Sequence, residues 1–176
     1  MARLLAKDTR FKRQLAHLDV YEFGVYTGSS LAEMAAEWTR HNLSIRSVWG
    51  FDSFVGVPEE QAELKGTIPT TGLKHWNPGA FSAAAAFKTS SFGKVTADIK
   101  AFVSRASKAP WFVDRMEFVR GFYNESLTKQ LADSVHPAAY IDIDADLYIS
   151  TKQALTWIFA NQEKQGPPST ARGMGR

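Results

Sequence analysis

The sequence predicts an α/β fold with a doubly wound, mainly parallel sheet and helices on both faces. Three observations predict it. Short apolar runs alternate with segments of helical periodicity. A turn with glycines at positions 24 and 28 joins the first apolar run to the first helical segment after it. The residues of unusual chemistry follow the apolar runs, at the strand ends where such sheets bind ligands.

Taken in order, Leu4, Leu5, Phe11, Leu15 and Leu18 fit one stripe of an amphipathic helix. Residues 20–23, VYEF, form a first strand. Residues 29–41 form a helix, with Leu31, Met34, Ala35 and Trp38 at helical spacing and Ser29 or Ser30 as cap. Residues 47–54, SVWGFDSF, give a second strand that ends at Asp52. A long irregular stretch, residues 55 to about 90, is rich in Gly, Pro, Thr and aromatics, a length usually tied to function or motion. A helix over 94–105, a strand over 116–122, a helix over 125–134, a strand over 138–143 and a helix over 151–161 complete the pattern.

One domain over residues 1–162 suits the 176-residue length, with residues 163–176 a disordered tail rich in Pro, Gly and basic residues. That tail holds three basic residues and one acid, so it carries +2 of the net +3. The rest is near neutral, which is no nucleic-acid footprint. No apolar run reaches the length of a membrane span, and the N-terminus lacks the core of a signal peptide. Without cysteines there are no disulfides or thiolate chemistry, which favours a cytoplasmic location.

Two features carry chemistry. In EFGVYTGSS the glycines let the backbone turn sharply and approach a ligand, and Asp52 follows Gly28 by 24 residues. A carboxylate there can accept from both ribose hydroxyls of a nucleoside. The plain alternative is a tight turn and a strand-terminal Asp. Tyr26 stands where a dinucleotide fingerprint wants glycine, which weighs against a nicotinamide-dependent oxidoreductase. In AAYIDIDADLYIS, Asp142, Asp144 and Asp146 alternate, about 6–7 Å apart if the strand continued. Like charges so placed call for a cation, for a proton to be removed, or for solvent.

The spacing E-x-G-x-x-x-G resembles the first motif of class I S-adenosylmethionine-dependent methyltransferases, a Rossmann-like fold. YEFGVYTGSSL, WGFDSFVGVPEE, VRGFYNESL and YIDIDADLYISTKQAL together resemble the macrocin/mycinamicin/novobiocin-type O-methyltransferases, over about residues 20 to 160. The resemblance implies an S-adenosyl-L-methionine- and Mg²⁺-dependent enzyme that methylates a hydroxyl of a sugar or other natural product. It implies that Asp144 is the metal ligand and Asp146 the general base. Glu22, Gly24, Tyr26, Gly28, Ser29, Asp52, Ser53, Gly121, Phe122 and Asp142 would form the cofactor site. The alternative for Phe122 is core, and for Asp142 hydrogen bonding within the sheet edge.

Lesser candidates are His75 and Trp76 as substrate-covering groups, with His17, His41 and His136 scattered. Glu59 and Glu60 fit a solvated loop or helix start. Ser126 and Thr128 suit capping or lining the next helix. Relatives of the resembled family continue after residue 162 into a strand ending in two aspartates, whereas this chain ends QEKQGPPSTARGMGR. That predicts a C-terminally truncated sheet lacking strands, an incomplete metal site, and an exposed edge that invites homo-oligomerisation. A catalytically incompetent remnant that at most binds the nucleoside is the alternative function.

Overall fold

A computed structural model describes residues 9–58 and 77–162 of the chain. The expectations for Leu4, Leu5, the Phe11 side chain, Glu59, Glu60, His75, Trp76 and the tail fall outside the described residues.

Four strands form one sheet: β1 (Asp19–Phe23), β2 (Ser47–Asp52), β3 (Met116–Arg120) and β4 (Ala138–Ile143). Their order is β3-β2-β1-β4 and every pairing is parallel. The chain builds outward from β1 to β3 and then crosses back to place β4 on the other side of β1. The switch point therefore lies between β1 and β4, where an open parallel sheet offers a crevice.

Reversing the direction of crossover puts the connecting helices on the opposite face, since such crossovers keep one hand. On the first face lie α1 (Thr9–Leu15), α2 (Ser29–Arg40), the short α3 (Ala83–Ala86), α4 (Phe92–Ser107) and α5 (Pro110–Val113). On the second lie α6 (Tyr123–Ser126), α7 (Lys129–Ser134) and α8 (Tyr148–Gln162).

Strand alternation sorts the core into two layers. Val20, Val48 and Met116 pack with Leu31, Ala35, Trp38, Ile99, Val103 and Phe112 on the first face. Tyr21, Phe23 and Phe51 pack with Ala154, Trp157 and Ile158 on the second. Phe23 and Phe51 stack at 4.6 Å between centroids, and Trp157 of α8 lies 5.7 Å from Phe51. This aromatic layer ties α8 to the two central strands.

Several boundaries differ from the sequence expectations. Neither Ser29 nor Ser30 caps α2: Gly28 precedes it in a left-handed conformation and no side chain caps the helix. The Ser30 hydroxyl turns inward to Glu22 instead. Residues 125–134 divide into α6 and α7, because Thr128 leaves helical geometry and its hydroxyl accepts from Leu131 N–H as cap of α7. Helix α8 starts at Tyr148, three residues earlier than periodicity suggested. Ser82 and Ser91 cap α3 and α4 inside and after the stretch read as irregular.

At the N-terminal end of the sheet, Asp19 is fully buried. Its Oδ2 accepts from Trp49 Nε1 and from His136 N–H, both at 2.9 Å, so one carboxylate joins β1, β2 and the approach to β4. Arg46 lies 3.6 Å from Oδ1. Asp19→Ala removes the acceptor of the Trp49 and His136 donors and a buried carboxylate, and should cost about 3 kcal/mol in urea unfolding. A loss below about 1 kcal/mol would show that this junction is not holding the strands.

Candidate active site

The C-terminal ends of β1 and β4 stay in contact beyond the last ladder pair. Asp144 N–H donates to Phe23 carbonyl at 2.8 Å, and Gly24 N–H donates to Phe51 carbonyl at 2.9 Å. Gly24 has φ of 92°, and a Cβ there would stand 2.1 Å from the Asp144 carbonyl oxygen. Only glycine allows that approach, which sets the start of the aspartate segment against the start of the glycine loop.

Gly28 serves packing as well: a Cβ there would lie 2.9 Å from Ile99 Cγ2 of α4. Its N–H donates to Val25 carbonyl. The two glycines thus shape the loop through the protein's own contacts. Tyr26, between them, has φ of 48°, a left-handed backbone that the fold imposes on a non-glycine residue. Its ring leans edge-on against Phe81 at 5.9 Å.

Asp52 pins this loop from the neighbouring strand. Its Oδ2 accepts from Val25 and Tyr26 N–H at 2.8 and 2.9 Å, and Oδ1 accepts from Phe54 N–H at 2.7 Å. Three of about four acceptor positions are therefore used internally. At most one ribose hydroxyl can be served by this side chain as it stands, where the sequence suggested two. Ser53 Oγ donates to Gly56 carbonyl, closing the turn that follows.

These elements surround a cavity of about 440 Å³ at the switch point. Gly24, Tyr26, Ser29, Asp52, Ser53, Gly121, Phe122, Asp144 and Asp146 all line it, so the structure brings together nine of the twelve residues singled out for cofactor, metal or catalysis. Glu22, Gly28 and Asp142 do not line it. Glu22 and Asp142 face each other in register behind it, and Gly28 packs on α4. His17 is exposed, His41 sits near Glu37, and His136 joins Arg46 and Tyr21 at the other end of the sheet.

Sequence reading missed several lining residues. Ile149, Ser150 and Gln153 come from the first turn and a half of α8, within reach of helical periodicity had its start been placed correctly. Tyr123 follows Phe122 directly, and its hydroxyl donates to Phe51 carbonyl. Phe81 arrives from a distant segment and has no local signal.

The first-turn amides of α2 lack intrahelical acceptors, and no side chain caps them. Ser29 and Ser30 open onto the cavity at that terminus. The cavity thus has one wall suited to a carboxylate and another made of Asp144 and Asp146 suited to a cation. Partial burial raises the Asp146 pKa, and the nearby Asp144 charge acts in the same direction. Among the described residues no three His, Cys, Asp or Glu side chains converge to hold a metal ion. No helix among them is long and apolar enough to cross a membrane.

Comparison with known proteins agrees with this geometry. The model of the macrocin-O-methyltransferase family, TylF, matches residues 9–166. The chain belongs to that family. Among solved structures, the calicheamicin methyltransferase CalS11 superposes with a TM-score of 0.59 at 24% identity, over 90% of this chain and 58% of its own. The O-methyltransferase NovP gives a TM-score of 0.54 at 21% identity, over 91% of this chain and 58% of its own. The chain therefore spans somewhat over half the length of these structures, and the likeness shows a shared fold. No curated protein matches the sequence. As a member of the macrocin-O-methyltransferase family, the chain has the expected α/β fold, with four parallel strands among the described residues and helices on both faces.

Behind the cavity, Glu22 is fully buried and its pKa is raised from 4.5 to about 8. Burial is the main cause; Asp142, Asp144 and Asp52 push the same way and the Ser30 hydrogen bond opposes. Between those two pH values the native state holds a proton that the unfolded state has lost. Stability should therefore fall as pH rises from about 4.5 to 8. Glu22→Gln should remove that slope and gain on the order of 1–3 kcal/mol at pH 8 relative to pH 5. Urea midpoints at both pH values measure it; parallel pH profiles for the two proteins would refute the assignment.

Proposed function

We propose that this chain is an S-adenosylmethionine-dependent O-methyltransferase domain acting on a hydroxyl of a small molecule, a sugar or related natural product. The observation that supports it most is the single cleft at the switch point, where the glycine loop, Asp52, the Gly121–Phe122 pair and the aspartate segment meet. Membership of the macrocin-O-methyltransferase family agrees with it, as does the fold shared with the methyltransferases CalS11 and NovP.

The residues present fit the cofactor. The uncapped end of α2, beside Ser29 and Ser30, suits its amino-acid carboxylate. The half-buried Phe122, with Gly121, offers a wall for the adenine, and the free acceptor position of Asp52 suits one ribose hydroxyl. S-adenosylmethionine supplies an electrophilic sulfonium methyl group. Asp144 and Asp146 line the same cleft, where their carboxylates would favour a positive ligand and give an acceptor hydroxyl a group to bond to.

Asp146 is the general base in this reading. It lines the cavity, and its raised pKa makes it a better proton acceptor than an ordinary aspartate. With an acceptor hydroxyl in the cleft, Asp146 would accept its proton. Orientation of the two reactants in one cleft contributes much of the acceleration. The resemblance also implies Mg²⁺ at Asp144. The described residues offer too few converging oxygen ligands for a protein-held Mg²⁺, so no step is assigned to one.

Calorimetry with S-adenosylhomocysteine tests the cofactor reading. Asp52→Ala frees three loop amides and should weaken binding at least about tenfold; equal heats for the two proteins would end the assignment. For any acceptor the wild-type chain methylates, Asp146→Asn should lower turnover by about 100-fold or more while cofactor affinity holds. Undiminished turnover would reject Asp146 as the base. Cofactor binding with no turnover on any acceptor would favour the nucleoside-binding remnant.

A further inference from the structure

Among the described residues, Glu22 is a fully buried titratable group beside the cleft to which the methyl-transfer chemistry gives no task. It sits in the central strand β1, two residues before Gly24, with none of its surface exposed. Oε1 accepts from the Ser30 hydroxyl at 2.6 Å. Oε2 is buried and has no hydrogen-bond partner. An ionised carboxylate offers about four acceptor positions, and burying it with one filled is costly; a neutral carboxylic acid there costs far less.

The neighbours reinforce the neutral form. Asp142 of β4 stands in register beside Glu22, with Asp144 beyond the end of that strand and Asp52 at the end of β2. The phenols of Tyr140 on β4 and Tyr123 on α6 also feel its charge and are themselves held neutral, mainly by burial. From α2 comes Ser30, a hydroxyl donor. Among the described residues, no cation is one of the groups that act on Glu22. The site is thus a buried acid, half-satisfied and ringed by anions, separated from the cleft by the Ser30 side chain that lines it.

We propose that Glu22 is a proton-exchanging counter-ion, neutral while the cleft is empty and ionised when a cationic ligand fills it. The proton leaves through the Ser30 hydroxyl and the open cleft to solvent, and the positive ligand replaces it as the balancing charge. Burial holds the empty-site pKa near 8, so the acid is mostly protonated at neutral pH and close enough to its midpoint for one added positive charge to discharge it. Resting on the cofactor reading, this gives the site a means of telling donor from product. The sulfonium donor carries a positive charge that the thioether product lacks, so the product complex takes the proton back and loses part of its attraction.

The test combines infrared spectroscopy with calorimetry on the whole chain. At pH 7 the ligand-free protein should show the carbonyl stretch of a protonated carboxyl that Glu22→Gln lacks. Saturating S-adenosylmethionine should remove that band. Titrations in two buffers of different ionisation enthalpy should find up to one more proton released by the wild type than by Glu22→Gln. The ligand's own amine titrates in both, so the difference isolates Glu22. Below about pH 8, wild-type affinity should rise relative to the variant by up to about tenfold per pH unit.

Ser30→Ala, a second variant that keeps the acid, should move proton release to higher pH, because the hydrogen bond it removes favours the ionised form. Absence of the band in the ligand-free wild type overturns the proposal, as does a band that persists in the complex or an equal proton count in wild type and Glu22→Gln. If S-adenosylmethionine gives no heat at all, the cofactor reading fails. The same band followed with trimethylsulfonium then decides the proposal, since its persistence at saturation overturns it.

Discussion

The close approach of two strand ends at Gly24 and Asp144 is the constraint on which the rest of this structure depends. Parallel pairing of β1 with β4 places the glycine loop and the aspartate segment side by side, and the missing Cβ at Gly24 lets the Asp144 carbonyl enter the space it would fill. The crevice that a reversing strand order leaves open is narrowed there to a cleft with defined walls. Both layers of the core serve that junction. Leu31, Ile99 and Val103 back the loop and α2 from one face, and the Phe23, Phe51 and Trp157 cluster fixes β1, β2 and α8 from the other.

Concentrating Glu22, Asp52, Asp142, Asp144 and Asp146 at one end of a sheet costs Coulomb energy, and the structure offsets it in different ways. Asp52 spends its charge on three backbone amides, which also sets the loop conformation. Glu22 avoids charge by remaining a carboxylic acid. Asp144 and Asp146 stand at the exposed rim, where solvent lowers the penalty and a positive ligand would gain most. The same arrangement explains why one carboxylate can be structural while another, across the central strand β1, keeps its oxygens open to the cleft. Number of internal donors, rather than sequence position, separates them.

The opposite end of the sheet uses the same device for stability alone. Asp19 there holds Trp49 and the His136 amide, and it does not line the switch-point cavity. A buried acid is thus no signature of function by itself. Both acids keep one buried oxygen without a hydrogen-bond partner, but Asp19 has Arg46 nearby, whereas the charges acting on Glu22 are anionic and its Ser30 partner lines a ligand-sized space.

Much of the fold was legible because it rests on local rules. Alternation of apolar runs with helical periodicity gave four strands in their observed places and the layered α/β class, and E-x-G-x-x-x-G with Asp52 marked the cleft. Those patterns are written in neighbouring residues, so the amino-acid order determined them. Only the tertiary structure decided what each marked residue does. Gly28 makes room for Ile99, Asp52 binds Val25, Tyr26 and Phe54, and Ser30 turns to Glu22 in place of capping its helix. Each of these depends on a partner brought in from another element or on competition for one lone pair. Spacing along a chain places a side chain at a strand end; which donors reach it first is settled by packing in three dimensions.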